Sequence, residues 1–192
     1  MDHSKLITHI HQLLPLTEEE QNLLVSSFQS KKIRRRQYLL QEGDVCKHYH
    51  FVIEGCLRMF FVDEKGTEHV LQFATENWWI ADIGSFHAST PSRLFIEALE
   101  PSIVLQIKKK DLLTLYTESP KFDRYFRVLV ENAFVKMQER VIQNISSTAQ
   151  ERYLTFLENY PHLANRISQV QIASFIGVTP EFLSKIRKNL MK

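Results

Sequence analysis

Cysteine is scarce in this sequence of 192 residues: Cys46 and Cys56 are the only two. They form neither a metal-type cluster nor a disulfide framework. The opening Met1-Asp2-His3-Ser4 is polar where an export signal would be apolar, so both cysteines are expected as reduced thiols in a cytoplasm. No apolar run approaches the roughly 18 residues of a membrane span. G-x-S-x-G, P-loop and H-E-x-x-H patterns are all missing, which leaves an enzyme reading with no residues to carry it. Glycine is also sparse, with Gly43, Gly55, Gly66, Gly84 and Gly177 as the full set. Each falls between periodic segments, where a turn can use a positive φ.

What is present is ordinary in bulk and uneven in distribution. Hydrophobic residues make up 44% and charged residues 24%, as in soluble globular domains. Net charge is +2. From Thr148 onward six Lys/Arg face three acids, a net of +3 that leaves −1 for Met1–Ser147. A basic segment at one end points to a polyanion partner, and equally to a solvated helix face.

The hydrophobic period divides the chain. Leu6 to Leu14 reads as a short amphipathic helix, and Thr17-Glu18-Glu19-Glu20 is a capping box for a second one ending near Phe28. From Lys31 to about Ile107 the period is two. Tyr38–Leu40, His50–Ile53, Leu57–Val62, His69–Phe73, Leu94–Leu99 and Ile103–Ile107 are short runs rich in aromatic and β-branched residues. Such strands, punctuated by Gly43, Gly55 and Gly66, predict an antiparallel barrel or sandwich. After Lys110 the pattern is helical: Asp111–Glu118, then a long helix over Lys121–Ile145, then Ala149–Asn159 capped by Thr148 and stopped by Pro161. The long helix carries two apolar stripes, Phe122, Phe126, Leu129, Ala133 and Met137 beside Val130, Phe134, Val141 and Ile145. One can pack on the barrel, and a second copy of the helix is the simplest cover for the other.

The segment Ser168–Leu190 reads as a helix-turn-helix. Ser168 caps the first helix, and Ile172, Ala173 and Ile176 bury it. Gly177 supplies the tight turn and Val178 fills it. Thr179 caps the second helix with Pro180 in its first position. Phe182, Leu183, Ile186 and Leu190 are expected to face inward. Glu181, Ser184, Lys185 and Lys188 recur on the opposite face, a polar cationic stripe suited to base edges and phosphates. Thr179, Pro180, Glu181, Ser184, Lys185, Arg187 and Lys188 are therefore the candidate DNA-binding residues. Lys185, Arg187, Lys188 and Lys192 can supply phosphate contacts, so binding is expected to weaken steeply with salt.

The order of barrel, long helix and helix-turn-helix resembles the Crp–Fnr family of bacterial regulators over essentially the whole chain. The motifs that carry the likeness are Leu40-x-x-Gly43-Asp44, Phe51-Val52-Ile53-x-Gly55 and Gly66-x-Glu68-His69-x-Leu71-x-Phe73. Thr179-Pro180-Glu181 opening the recognition helix is similar to a short form common in Bacteroidetes-type bacteria. The resemblance implies an α+β fold: an antiparallel jelly-roll barrel of the cyclic-nucleotide-binding type with flanking helices, a long dimerisation helix and a C-terminal helix-turn-helix. It divides the chain into a sensor barrel (1–120), a dimerisation helix (121–146) and a DNA-binding domain (147–192). The partners it implies are double-stranded DNA, a second copy of the chain through 121–145, and RNA polymerase, with no membrane.

The family's cyclic-AMP binders hold the ribose with the Glu of a Gly-Glu pair and the phosphate with an Arg. Here the pair falls on Ala81-Asp82 and the Arg on Ser92, while Arg93 is one residue off and on a strand would point to the opposite face. Cyclic AMP is therefore not the expected effector. The barrel holds another small molecule or none, with Phe73, Trp79, Ala81, Asp82, Ile83, Ser92 and Arg93 as the candidate effector residues. Members with a full wing continue into a hairpin after the recognition helix. This sequence ends at Lys192, so such contacts are not expected.

Other features weigh toward structure. Lys31–Arg36, placed before the first strand, is a polyanion patch or, better, a solvated edge that discourages strand pairing. His48-x-His50 has same-face strand spacing but lacks a third metal ligand nearby. His87 reads as a loop histidine and Trp78-Trp79 as core. The two cysteines are too few for an iron–sulfur cluster. The competing reading of the whole is a ligand-binding regulatory protein whose helical tail docks a protein partner instead of DNA.

Overall fold

In the computed structural model, which describes residues 3–190, eight helices and eight strands follow one another as α1 (Ser4–His11), α2 (Glu18–Ser27), β1 (Gln29–Ile33), β2 (Tyr38–Leu40), β3 (His48–Glu54), β4 (Leu57–Val62), β5 (Glu68–Ala74), β6 (Trp79–Ile80), α3 (Ile83–Ala88), β7 (Phe95–Ala98), β8 (Ser102–Lys108), α4 (Lys109–Glu118), α5 (Pro120–Ser146), α6 (Ala149–Asn159), α7 (Gln169–Ile176) and α8 (Pro180–Leu190). They separate into two compact units. The first comprises residues 1–61 and 72–130, the second residues 62–71 and 131–192. The division cuts through α5 and assigns the tip of the β4–β5 hairpin to the second unit. No described helix is long and apolar enough to cross a membrane.

The strands form two four-stranded sheets, ordered β1-β8-β3-β6 and β2-β7-β4-β5. Where registers are resolved the pairings are antiparallel, Phe51 opposite Leu105 and Leu57 opposite Ala98 among them. Gly55 turns β3 into β4 at φ +100°. A Cβ at this position would collide with the Ser102 side chain and lie 2.8 Å from the Ser102 Cα. Both the backbone angle and the close approach therefore require glycine. Phe51, Val52, Val104, Leu105 and Ile107 are buried in the sheets, with Leu112, Leu115, Phe122 and Phe126 from α4 and α5. Trp79 packs among Phe28, Phe51 and Phe126, and its Nε1–H donates to the Tyr125 hydroxyl at 2.9 Å. The start of α5 is tied to α2: Lys121 pairs with Glu20 at 2.8 Å and Ser119 donates to the same carboxylate.

The structure revises two expectations and adds an observation on His50. Lys31 and Lys32 lie inside β1 and not before the first strand. β1 ends its sheet, so charged residues sit on an edge strand, where they discourage further pairing. His87 sits in the last turn of α3, a six-residue helix capped by the Asp82 side chain, and not in a loop. His50 is buried, and its Nδ1 has no hydrogen-bond partner.

Candidate functional site

Beyond α5, the second unit is built from three capped helices. Thr148 and Glu151 form a reciprocal capping box on α6, and Ser168 and Gln171 form another on α7. Gly177 ends α7 in the left-handed region at φ +73°. Beside it the Val178 N–H returns to the Ala173 carbonyl at 3.0 Å. A Cβ at Gly177 would meet nothing within 4 Å, so the turn selects glycine for its backbone angle alone. Thr179 caps α8, its hydroxyl accepting from the Phe182 N–H at 3.3 Å, with Pro180 in the first turn. α7 packs on α6 and on α8. Tyr153, Phe156, Leu163, Ile172, Ala173, Ile176, Leu183 and Ile186 are buried in this unit.

α8 thus has a core side and an outer side. Glu181, Ser184, Lys185 and Lys188 are exposed together on the outer side, as is Thr179 at its start. Pro180 and Arg187 are half-buried, and Arg187 lies off this face. Lys192 lies outside the described residues. Two residues expected to face inward do not: Phe182 is 49% exposed and Leu190 40%. Leu183 and Ile186 suffice to anchor the helix. On the helix circumference Phe182 lies about 70° from the midline between Leu183 and Ile186, at the margin of the buried face.

The C-terminal end of α7 is held by two arginines, as suits the negative end of a helix. Arg152 donates to the Ile176 carbonyl at 2.9 Å and to Ser147 at 2.7 Å. Arg140, from α5, donates to the Phe175 carbonyl at 2.8 Å, and its guanidinium lies 4.1 Å from the centre of the Phe175 ring. The same guanidinium reaches the hairpin, donating to the carbonyls of Val70 at 3.1 Å and of Leu71. Burial pushes the Arg140 pKa down, and the neighbouring Tyr160 opposes the shift. Ser174 completes the junction. Its hydroxyl donates to the Glu68 carbonyl at 2.6 Å and accepts from the Val70 N–H at 2.9 Å. β5 ends its sheet, so these side chains occupy backbone groups that no further strand pairs. The hairpin tip is set by Asp63, which accepts from the Lys65 and Thr67 N–H groups and pairs with His69 at 2.9 Å.

In the first unit, the effector candidates fall into separate groups. Asp82 caps α3 through the Ser85 N–H, and its other carboxylate oxygen accepts the Ser92 hydroxyl at 2.6 Å. The positions matching the family's ribose and phosphate ligands are thus joined to each other. Ser92 also accepts from the Leu94 N–H, and Ser85 bridges the Cys46 N–H and the Thr90 carbonyl. Ala81 and Ser92 are buried, Arg93 is exposed, and Ile83 is 39% exposed. Phe73 is buried, and Trp79 belongs to the aromatic core described above. Sequence reasoning missed the buried Arg58–Glu97 pair on β4 and β7, where Arg58 Nε donates to the carboxylate at 2.8 Å and its guanidinium lies over Phe60. Opposite charges in apolar strands that pair in register were the available signal.

Comparison with known proteins bears on this arrangement. Residues 30–119 match the cyclic nucleotide-binding domain family. The chain is 26% identical over 194 residues to the fumarate and nitrate reduction regulatory protein of Vibrio cholerae, covering 92% of this chain and 75% of the relative. It is 25% identical to electron transport regulator A of Shewanella oneidensis, covering 84% and 68%. Among solved structures it is similar to FixK2 from Bradyrhizobium japonicum, with a TM-score of 0.76, 18% identity, and coverage of 85% and 84%. It is also similar to the regulator CLP of Xanthomonas campestris, with a TM-score of 0.75, 14% identity, and coverage of 91% and 92%. A cyclic nucleotide-binding-type barrel followed by a helical C-terminal unit is the fold that the chain shares with these solved structures. Over most of its length the chain is similar to transcriptional regulators of the Crp–Fnr type. Its relatives are regulators, not enzymes, and proteins of this family bind DNA and form homodimers.

Proposed function

We propose that the chain acts as a cytoplasmic homodimer that reads DNA through α8 and answers to a small molecule other than cyclic AMP. The observation that carries the reading is the outer face of α8, where Glu181, Ser184, Lys185 and Lys188 are exposed together beside a capped first turn. Thr179 and Pro180 fix that turn, and Arg187 adds charge at the flank. Pairing through 121–145 sets two recognition helices about 34 Å apart, one helical turn of DNA. In this reading residues 1–120 are the sensor, 121–146 the dimerisation helix and 147–192 the reader, and RNA polymerase is a further partner wherever the regulator activates.

The Asp82–Ser92 hydrogen bond supports the effector assignment. It ties up the carboxylate that would take a ribose hydroxyl, and no cation stands at position 92 for a cyclic phosphate. The fold itself does not dictate a cyclic mononucleotide, since structures similar to this one include a regulator described as c-di-GMP responsive and CprK complexed with OCPA.

The test is a mobility-shift titration with DNA from upstream of the encoding gene, at several salt concentrations. Affinity should fall with salt with a slope of about −0.9 per phosphate neutralised. Lys185→Ala should weaken binding by about 1–3 kcal/mol if it reads a guanine. An absence of any salt-sensitive shift refutes the assignment and favours a protein partner for the helical tail.

A further inference from the structure

α8 exposes one large apolar side chain in its first turn. Phe182 is 49% exposed, next to Leu183 at 0%. It follows Glu181 directly and stands one turn before Lys185, both exposed. No aromatic ring among the described residues packs against it, although the same unit stacks Phe156, Tyr160 and Phe175 together. At 100° per residue, Leu183 and Ile186 mark the core side, and Phe182 projects from the flank between that side and the cationic face. The N-terminal turn of a recognition helix is the part that meets base edges.

The surroundings of that turn are charged and polar, and so is nearly all of the major groove. Each base edge there offers hydrogen-bond donors and acceptors. The exception is thymine, whose C5-methyl group is the one apolar feature. A benzyl side chain has no hydrogen bond to give or take, so its favourable contact in that groove is with this methyl. Arg187 and Lys188 supply attraction to phosphate that seats the turn.

We propose that Phe182 is a specificity-determining residue that selects thymine at one position of each half-site, through contact with its 5-methyl group. The proposal rests on the assignment of α8 as the DNA-reading helix.

The experiment uses the full chain and a duplex that it selects from a random-sequence pool. Each thymine of that duplex is replaced in turn by uracil, which removes the methyl and nothing else. One position per half-site should lose about fourfold in affinity, the effect of one buried methyl-sized group. In Phe182→Ser that position should become indifferent to uracil, while in Phe182→Leu it should keep part of its preference. The proposal is overturned if no uracil weakens the wild-type protein, or if the sensitive position survives in Phe182→Ser. Failure to select any duplex overturns the DNA-reading assignment as well, whereas duplexes selected without methyl sensitivity overturn only the role of Phe182.

Discussion

Arg140 is a single side chain that holds three backbone carbonyls on two segments of the second unit, so its removal should have an outsized effect. In Arg140→Ala the carbonyls of Val70, Leu71 and Phe175 lose their donor, and the Phe175 ring loses a cation at 4.1 Å. Each hydrogen bond from a charged donor contributes about 1.5–3 kcal/mol net, and the ring contact about 1 kcal/mol. Against this stands the cost of burying a guanidinium, visible as the lowered pKa of Arg140, which runs to several kcal/mol. Water can also reach the vacated carbonyls on the edge strand. The balance is a loss of about 3 kcal/mol from the second unit. Both tryptophans, Trp78 and Trp79, lie in the first unit, so their fluorescence follows that unit alone. Urea unfolding read by far-ultraviolet circular dichroism should therefore show an early transition in Arg140→Ala that tryptophan fluorescence does not report. Arg140→Lys should restore a minority of the loss, since one ammonium cannot span both the hairpin and α7. Superimposable transitions in wild type and Arg140→Ala would show that this junction contributes little and that the carbonyls are as well served by water.

Acid should weaken the fold through His50. Burial holds its pKa at about 3 in the folded protein against 6.5 unfolded, so below pH 6.5 the unfolded chain takes up a proton that the folded chain refuses. Stability from this residue is intact above pH 6.5 and falls between 6.5 and 3, by about 2 kcal/mol at pH 5. Urea midpoints at pH 7.5 and 5.0 should differ less in His50→Leu than in wild type, and an equal difference in both would refute the account. The exposed apolar residues of α5, Phe134 at 62%, Ile142 at 62% and Ile145 at 82%, need a cover in water. Phe134→Glu with Ile142→Glu should shift sedimentation from dimer to monomer and lower operator affinity in parallel. A wild-type chain that sediments as a monomer at micromolar concentration would contradict pairing through this helix.

The parts of this fold that could be read from sequence are those whose causes are local. Thr148, Ser168 and Thr179 each satisfy backbone groups within three residues, so the starts of α6, α7 and α8 follow from short patterns. Gly55 and Gly177 follow likewise from turns that exclude a side chain or demand a positive φ. β1 escaped because Lys31 and Lys32 look like a solvated run, although an edge strand tolerates such charge. α3 escaped because six residues give too little period to detect, and because the resemblance drew Asp82 toward a ligand role when its carboxylate caps the helix. Phe182 was misplaced because an apolar residue beside a buried one fits the helical period loosely, and only packing decides which side it takes.

The hairpin junction illustrates the deeper limit. Ser174 lies 104 residues from Val70, and Arg140 lies 69 from Leu71. Both would be read from sequence as surface polar residues. Their partners are backbone carbonyls and an N–H, which every residue but proline carries and which therefore leave no mark in composition. A salt bridge such as Arg58–Glu97 announces itself by two opposite charges in paired strands, but a side chain that binds main chain announces itself by one charge or hydroxyl with no visible mate. The unpaired outer edge of β5 is a predictable need, because edge strands are usually blunted or covered. The residues that meet it here had to be found in three dimensions. β5 itself runs on through Gln72 to Ala74, past the segment that Ser174 and Arg140 hold. A search of other barrel–helix-turn-helix chains for a hydroxyl residue in the first helix, paired with an arginine late in the long helix, is therefore better aimed than a search for matched charges.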